Sequence, residues 1–80
     1  MDKMNKKYKV SNFTLTTDDE VVIRLKYIES CYYVNSRENG PYVNIHTTSG
    51  ANYMLQRVSD YSEGSAIVAD ILGILDTSRF

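Results

Sequence analysis

From Val21 to Arg57, apolar and polar residues alternate in short runs separated by turn-forming residues. Val21, Ile23, Leu25 and Tyr27 take the odd positions of one run, and Arg24 and Lys26 take even ones. This is the period-two pattern of a strand with one buried face. Tyr27 and Ile28 are adjacent and both apolar, so the parity slips and a bulge or tight turn is expected at Glu29-Ser30, ahead of a strand opening with Cys31–Val34. Arg37-Glu38-Asn39-Gly40-Pro41 is the strongest turn signal, because Asn-Gly favours positive φ and proline suits the start of a returning strand. Tyr42–Thr48 then places Val43 and Ile45 on one face and Tyr42, Asn44 and His46 on the other. Ser49-Gly50 turns again and Ala51–Val58 returns. Upstream, Tyr8–Leu15 reads as a first strand with Phe13 and Leu15 on one face and Thr14 on the other, ended by the polar stretch Thr16–Asp19.

After residue 58 the period changes. At 100° per residue, Ile67, Val68, Ile71, Leu72, Ile74 and Leu75 fall within an arc of about 160°. Ala66, Ala69 and Gly73 lie on the other side as a low-profile stripe. Asp60 and Glu63 have capping-box spacing and Ser65 is a second candidate N-cap, so the helix begins between residues 60 and 65. The expected fold is α+β: a small curved antiparallel meander of about five strands, packed by one C-terminal helix. The 80 residues form a single domain, with a basic arm at 1–7, the sheet at 8–58 and the helix region at 60–77.

Composition is that of an ordinary globular domain, 42% apolar and 24% charged. A chain this short buries only about 60–65% of its unfolded surface, so its core is marginal unless a partner adds to it. The stretch Ala66–Leu75 is too short to span a bilayer and contains Asp70. No apolar segment follows the lysines near the start, so no secretory signal is read there, and the Asn12-Phe13-Thr14 acceptor pattern is expected to go unused. A cytoplasmic location and no membrane partner are the expectation.

Net charge is −1 but uneven. Lys3, Lys6, Lys7 and Lys9 oppose Asp2 at the start, while Asp18-Asp19-Glu20 makes an acidic loop. A nucleic-acid binder normally sustains a basic surface, because affinity comes from neutralising phosphates. The lysine arm supplies the beginning of one and the body does not extend it.

Candidate chemistry is sparse. His46 is the single histidine and has no second ligand at metal spacing. Cys31 is the single cysteine; it can form no internal disulfide, and in an apolar strand it reads as structural rather than nucleophilic. Asp18-Asp19-Glu20 has no calcium-loop motif around it. Gly-rich phosphate loops and nucleophile elbows are missing, so neither an enzyme nor a cofactor is expected.

The seven tyrosines are more informative. Adjacent Tyr32 and Tyr33 must face opposite sides of their strand, and Tyr42 shares its face with Asn44 and His46. Such a face suits protein contact, since tyrosine gives area at low entropic cost, and it also suits base stacking. Tyr27-Ile28-Glu29-Ser30, followed by Tyr42–Thr47 and Gly50, is similar to the opening strands of the LytTR-type DNA-binding domain. The similarity covers less than half the chain. Asn35–Gly40 is inserted between its two pieces, and the basic second half through which that family contacts DNA has no counterpart.

The sequence therefore reads as a non-enzymatic intracellular interaction module, a small regulator, accessory factor or inhibitor that docks a protein partner. Tyr32, Arg37, Glu38, Asn39, Tyr42, Asn44 and His46 are the expected contact residues, through a sheet face or by strand addition at an edge. Nucleic-acid binding through Lys3, Lys6, Lys7 and Lys9 with the tyrosine face is the first alternative. A subunit stable only as an oligomer is the second, because six aliphatic residues on one helix face are a large load for a single sheet to cover.

Overall fold

The computed structural model describes residues 5–77 and is α+β, with two three-stranded antiparallel sheets and one helix. Strands β1 (Lys9–Val10), β2 (Thr14–Thr16) and β3 (Val22–Arg24) form the first sheet in that order. Strands β4 (Ile28–Ser36), β5 (Gly40–Thr47) and β6 (Asn52–Arg57) form the second, and helix α1 spans Tyr61–Thr77.

The stretch expected as one strand over Tyr8–Leu15 is a tight hairpin. The Ser11 N–H donates to the Thr14 carbonyl at 2.9 Å, and Val10 pairs with Leu15. Serine and asparagine at 11 and 12 favour this reversal, and it throws Phe13 into the turn. Phe13 is 60% exposed while Leu15 is fully buried, so the two do not share a face. The strand expected from Val21 up to the parity slip at Tyr27-Ile28 stops after Arg24 and passes into a single 3₁₀ turn, Leu25–Tyr27. That turn buries Leu25 and Ile28 and leaves Tyr27 49% exposed, which corrects the expectation that Tyr27 points inward. It also divides one meander into two sheets. The irregularity expected at Glu29-Ser30 is present, as a register shift between Ile28 and Ser30.

A second bulge was not legible in the alternation. β6 gains one residue where Asn44 pairs with Met54 but Val43 pairs with Gln56. Leu55 and Gln56 are consequently both buried, at 0% and 1% exposure. The Gln56 side chain is satisfied by the segment beneath the sheet: its amide donates to the Asn5 carbonyl at 2.9 Å and its oxygen accepts the Lys7 N–H at 2.8 Å. The sheets are joined by backbone bonds from Asp18 N–H to Leu55 and from Thr48 N–H to Tyr27.

One apolar core lies between the two sheets and the helix. Leu15 and Ile23 enter from the first sheet, Val43, Ile45 and Leu55 from the second, and Ile67 and Ile71 from α1. Of the six aliphatic residues expected on the inner face of the helix, Ile67 and Ile71 are buried, Val68, Ile74 and Leu75 are partly buried, and Leu72 is 47% exposed. The Asp60 carboxylate accepts the Glu63 N–H at 2.9 Å, which settles the N-terminus in favour of Asp60 over Ser65. Glu63 reaches back one residue further than in a standard capping box and accepts the Ser59 N–H and hydroxyl, each at 2.8 Å. These bonds, the backbone one foremost, hold its carboxyl below the ordinary glutamate range. Gly64, in the first turn, sits so close to β4 that a Cβ there would lie 2.5 Å from the Tyr33 ring.

Candidate functional site

The core occupies one face of the second sheet, and cross-strand register fixes what stands on the other. Ser30, His46 and Asn52 form one row across β4, β5 and β6; Tyr32, Asn44 and Met54 form the next; Val34, Tyr42 and Arg57 the third. Helix α1 packs on the opposite side with Ile67 and Ile71, so among the described residues no helix or strand lies over these rows.

Two rows are tied together by side chains. The Asn44 amide donates to the Tyr32 hydroxyl at 3.1 Å and to the Asn52 side-chain oxygen at 3.0 Å. His46 Nδ1 lies 3.0 Å from that same oxygen, and its Nε2 is 3.3 Å from a Glu29 carboxylate oxygen. Both ring nitrogens thus lie within hydrogen-bonding distance of a side-chain oxygen, one on each side of the ring. Five side chains from three strands hold one another in place, and the Tyr32 ring stands 43% exposed at the rim. Asn44, expected as a contact residue, is only 6% exposed. It stands at the centre of the three rows, walled in by its neighbours, and supports the face rather than presenting itself.

The other expected contact residues lie apart from this network. Tyr42 is half-buried and four residues along β5 from His46, roughly 14 Å away at a strand's rise. Beyond it, Arg37, Glu38 and Asn39 are exposed on the hairpin tip. Gly40 there takes φ +72°, the Ser36 hydroxyl accepts the N–H groups of Glu38 and Asn39, and Arg57 donates to the Asn39 carbonyl at 2.6 Å. Sequence reading omitted Glu29 and Asn52. Their place beside His46 depends on the register of β6 and on the bulge in β4, neither of which leaves a local signal.

The lysines stand elsewhere. Lys6 Nζ is 3.8 Å from Asp70 of the helix and 5.2 Å from the centre of the Tyr8 ring, on the helix side of the sheet. Lys7 is anchored through its backbone to Gln56, Lys9 is exposed in β1, and Lys3 lies outside the described residues. A second surface, an open groove of about 520 Å³ between the two sheets, is lined by Val22, Tyr27, Thr48 and Tyr53 among others. The acidic loop Asp18–Glu20 closes a turn in which the Thr17 N–H donates to Val21 and the Glu20 N–H to Thr17. Among the described residues no group of three or more His, Cys, Asp and Glu side chains is placed to hold a metal ion, and no helix is long and apolar enough to cross a membrane.

Cys31 is buried in the core, and desolvation pushes its thiol up to about 12, so it carries no thiolate at neutral pH. The Tyr8 phenol is likewise held above its ordinary value, first by burial and then by its hydrogen bond to the Asp70 carboxylate. Both groups are retained neutral by folding. An unfolded thiol ionises near 9.0, so the stabilisation is complete below that pH and is lost as pH rises toward 12. The urea midpoint is expected to fall above pH 9, each group contributing a slope of up to about 1.4 kcal/mol per pH unit. In Cys31→Ala the slope becomes shallower. A midpoint constant up to pH 11 would contradict the assignment.

No protein-family model matches this chain, and neither a curated protein nor a solved structure does.

Proposed function

We propose that this chain is a non-enzymatic, intracellular protein-docking module, a small regulator, accessory factor or inhibitor, that binds its partner through the outer face of the second sheet around Tyr32 and His46. The carrying observation is the network that joins Tyr32, Asn44 and Asn52 and continues through His46 to Glu29, on a face over which no described helix or strand lies. Side chains fixed before binding lose little rotamer freedom when a partner arrives, which is how a small polar face reaches useful affinity. Tyrosine at the rim supplies contact area, and the Glu29–His46 pair and Asn52 supply oriented polar groups. The nucleic-acid alternative has less support, because Lys6 is engaged by Asp70 on the helix side rather than flanking the tyrosine face.

The test is capture from nuclease-treated lysate of the protein's own source, comparing the parent chain with Tyr32→Ala and His46→Ala. Both variants alter exposed or half-buried positions and are expected to keep the parent melting behaviour. One stoichiometric protein should be retained by the parent, persist at high salt, and bind each variant at least about tenfold more weakly. Equal capture by all three, or capture that disappears with nuclease, would show the reading to be wrong.

A further inference from the structure

We propose that β4 is the dimerisation edge of this protein: two copies pair their β4 strands antiparallel about a two-fold axis at Tyr33, forming a continuous six-stranded sheet. Among the described residues β4 is the longest strand and pairs on one side only, with β5. The direction of its unpaired groups follows from Pro41. The Pro41 carbonyl accepts the Val58 N–H across from β6, so Pro41 is turned toward β6 and its pair with Asn35 is a non-hydrogen-bonded one. Alternation through the regular register from Ser36 to Cys31 then directs the N–H and C=O groups of Asn35, Tyr33 and Cys31 away from the sheet. Among the described residues none of these six groups has a hydrogen-bond partner.

Natural edge strands are protected by charge, proline, a bulge or a cover. Between Ser30 and Ser36 β4 has no charged residue and no proline, and its bulge lies before that stretch. The edge suits a second copy because it is self-complementary. Centred on Tyr33, Tyr33 meets Tyr33 and each Cys31 meets Asn35, so all six groups on each strand are used. On the outer face Tyr32 of one copy then lies opposite Val34 of the other, an aromatic–β-branched pair. No like charges meet across the axis.

The helix supplies a second, independent feature on this edge. Asp70 marks the flank of α1 facing Tyr8 and Lys6, the side of the first sheet. The opposite flank carries Tyr61 and, eleven residues and about 20° further round, Leu72. These two are 65% and 47% exposed, and Tyr61 stands edge-on to Tyr33 at 5.2 Å. An exposed apolar flank therefore adjoins an unpaired strand edge, and two-fold pairing covers both together. The edge dimer does not require the outer face to bind another protein; Tyr32 stands in both surfaces, so the variants below are placed at Asn35 and Tyr61, outside the docking network.

The experiment is sedimentation equilibrium of the full chain from about 10 to 500 μM, with Asn35→Pro and Tyr61→Asp alongside. Asn35 is exposed and its N–H is unused within the subunit, so proline there removes an intersubunit donor without breaking the subunit's own ladder. Tyr61 is the first helical residue, where an aspartate is favoured, and the substitution sets two carboxylates near the axis. Thermal melts establish that each variant folds; if Asn35→Pro does not, Tyr61→Asp decides alone. The expected result is a parent mass of twice 9.2 kDa and a dimer Kd raised at least about tenfold in each folded variant. A parent that stays monomeric throughout the range, or a dimer whose Kd either folded variant leaves unchanged, overturns the assignment.

Discussion

Replacing Ile67 with alanine is expected to lower stability by about 2–5 kcal/mol. Ile67 is fully buried and belongs to the cluster in which the helix meets Val43, Ile45 and Leu55. Truncation removes three methyl or methylene groups from water-free contact and leaves a cavity that a sheet on one side and a helix on the other can close only partly. A domain of this size holds a total of order 5–10 kcal/mol, so the variant approaches its unfolding threshold at ambient temperature. The melting temperature should fall by roughly 10 °C or more, since about 1 kcal/mol moves a domain this small by roughly 4–8 °C. Leu72→Ala is the comparison. Its side chain is nearly half exposed, and it should cost under about 1 kcal/mol in the monomer. Chemical denaturation of both variants at one dilute concentration measures this, and equal losses would contradict the placement of Ile67.

The second large effect is a contrast in sign between two glycines of the same helix. Gly64→Ala should destabilise by about 1–2 kcal/mol net, and Gly73→Ala should stabilise by up to about 1 kcal/mol. Alanine is the better helix former at both positions, so propensity alone predicts two gains. Contact decides otherwise. A Cβ at Gly64 would lie 2.5 Å from Cδ1 and 3.0 Å from Cε1 of Tyr33, and 3.4 Å from a Val58 methyl. The Tyr33 ring is wedged against Tyr61 and cannot swing aside without losing that contact. At Gly73 the same Cβ meets nothing within 4 Å. If Gly64→Ala is restored toward the parent by Tyr33→Ala, the close approach is the cause. Stabilisation by both single substitutions would mean that the helix does not sit this near β4.

The nucleic-acid and docking alternatives differ in how they use the amino-terminal residues. With Asn5 and Lys7 bonded to Gln56 and Lys6 beside Asp70, residues 5–7 contribute to the packed structure through their backbone as much as through their charge. Neutralising Lys6 would therefore remove a half-exposed ion pair, an interaction of small worth in water. Removing the fully buried Gln56 side chain would empty its place in the core and break its part-buried bonds to the Asn5 carbonyl and the Lys7 N–H, a greater cost.

Several features of this protein were legible without coordinates because they are written in neighbouring residues. The helix and its buried Ile67 and Ile71 follow from spacing within one turn or two, whereas the choice of Asp60 over Ser65 as its cap came from the folded geometry. Val43 and Ile45 inside, with Tyr42, Asn44 and His46 opposite, follow from the alternation of a regular strand. The left-handed Gly40 in the turn at Asn39-Gly40 follows from backbone sterics. Periodicity, however, assigns faces only while the register is unbroken, and it does not say which face is covered. The 3₁₀ turn at Leu25–Tyr27 exposed a tyrosine that parity had turned inward, and the bulge in β6 sent a glutamine into the core. Tertiary packing alone decided that Asn44 is walled in, that Glu29 and Asn52 complete the network around His46, and that Gly64 touches Tyr33. Each of these depends on elements far apart in the chain, and whether two such elements meet is set by how the whole core closes.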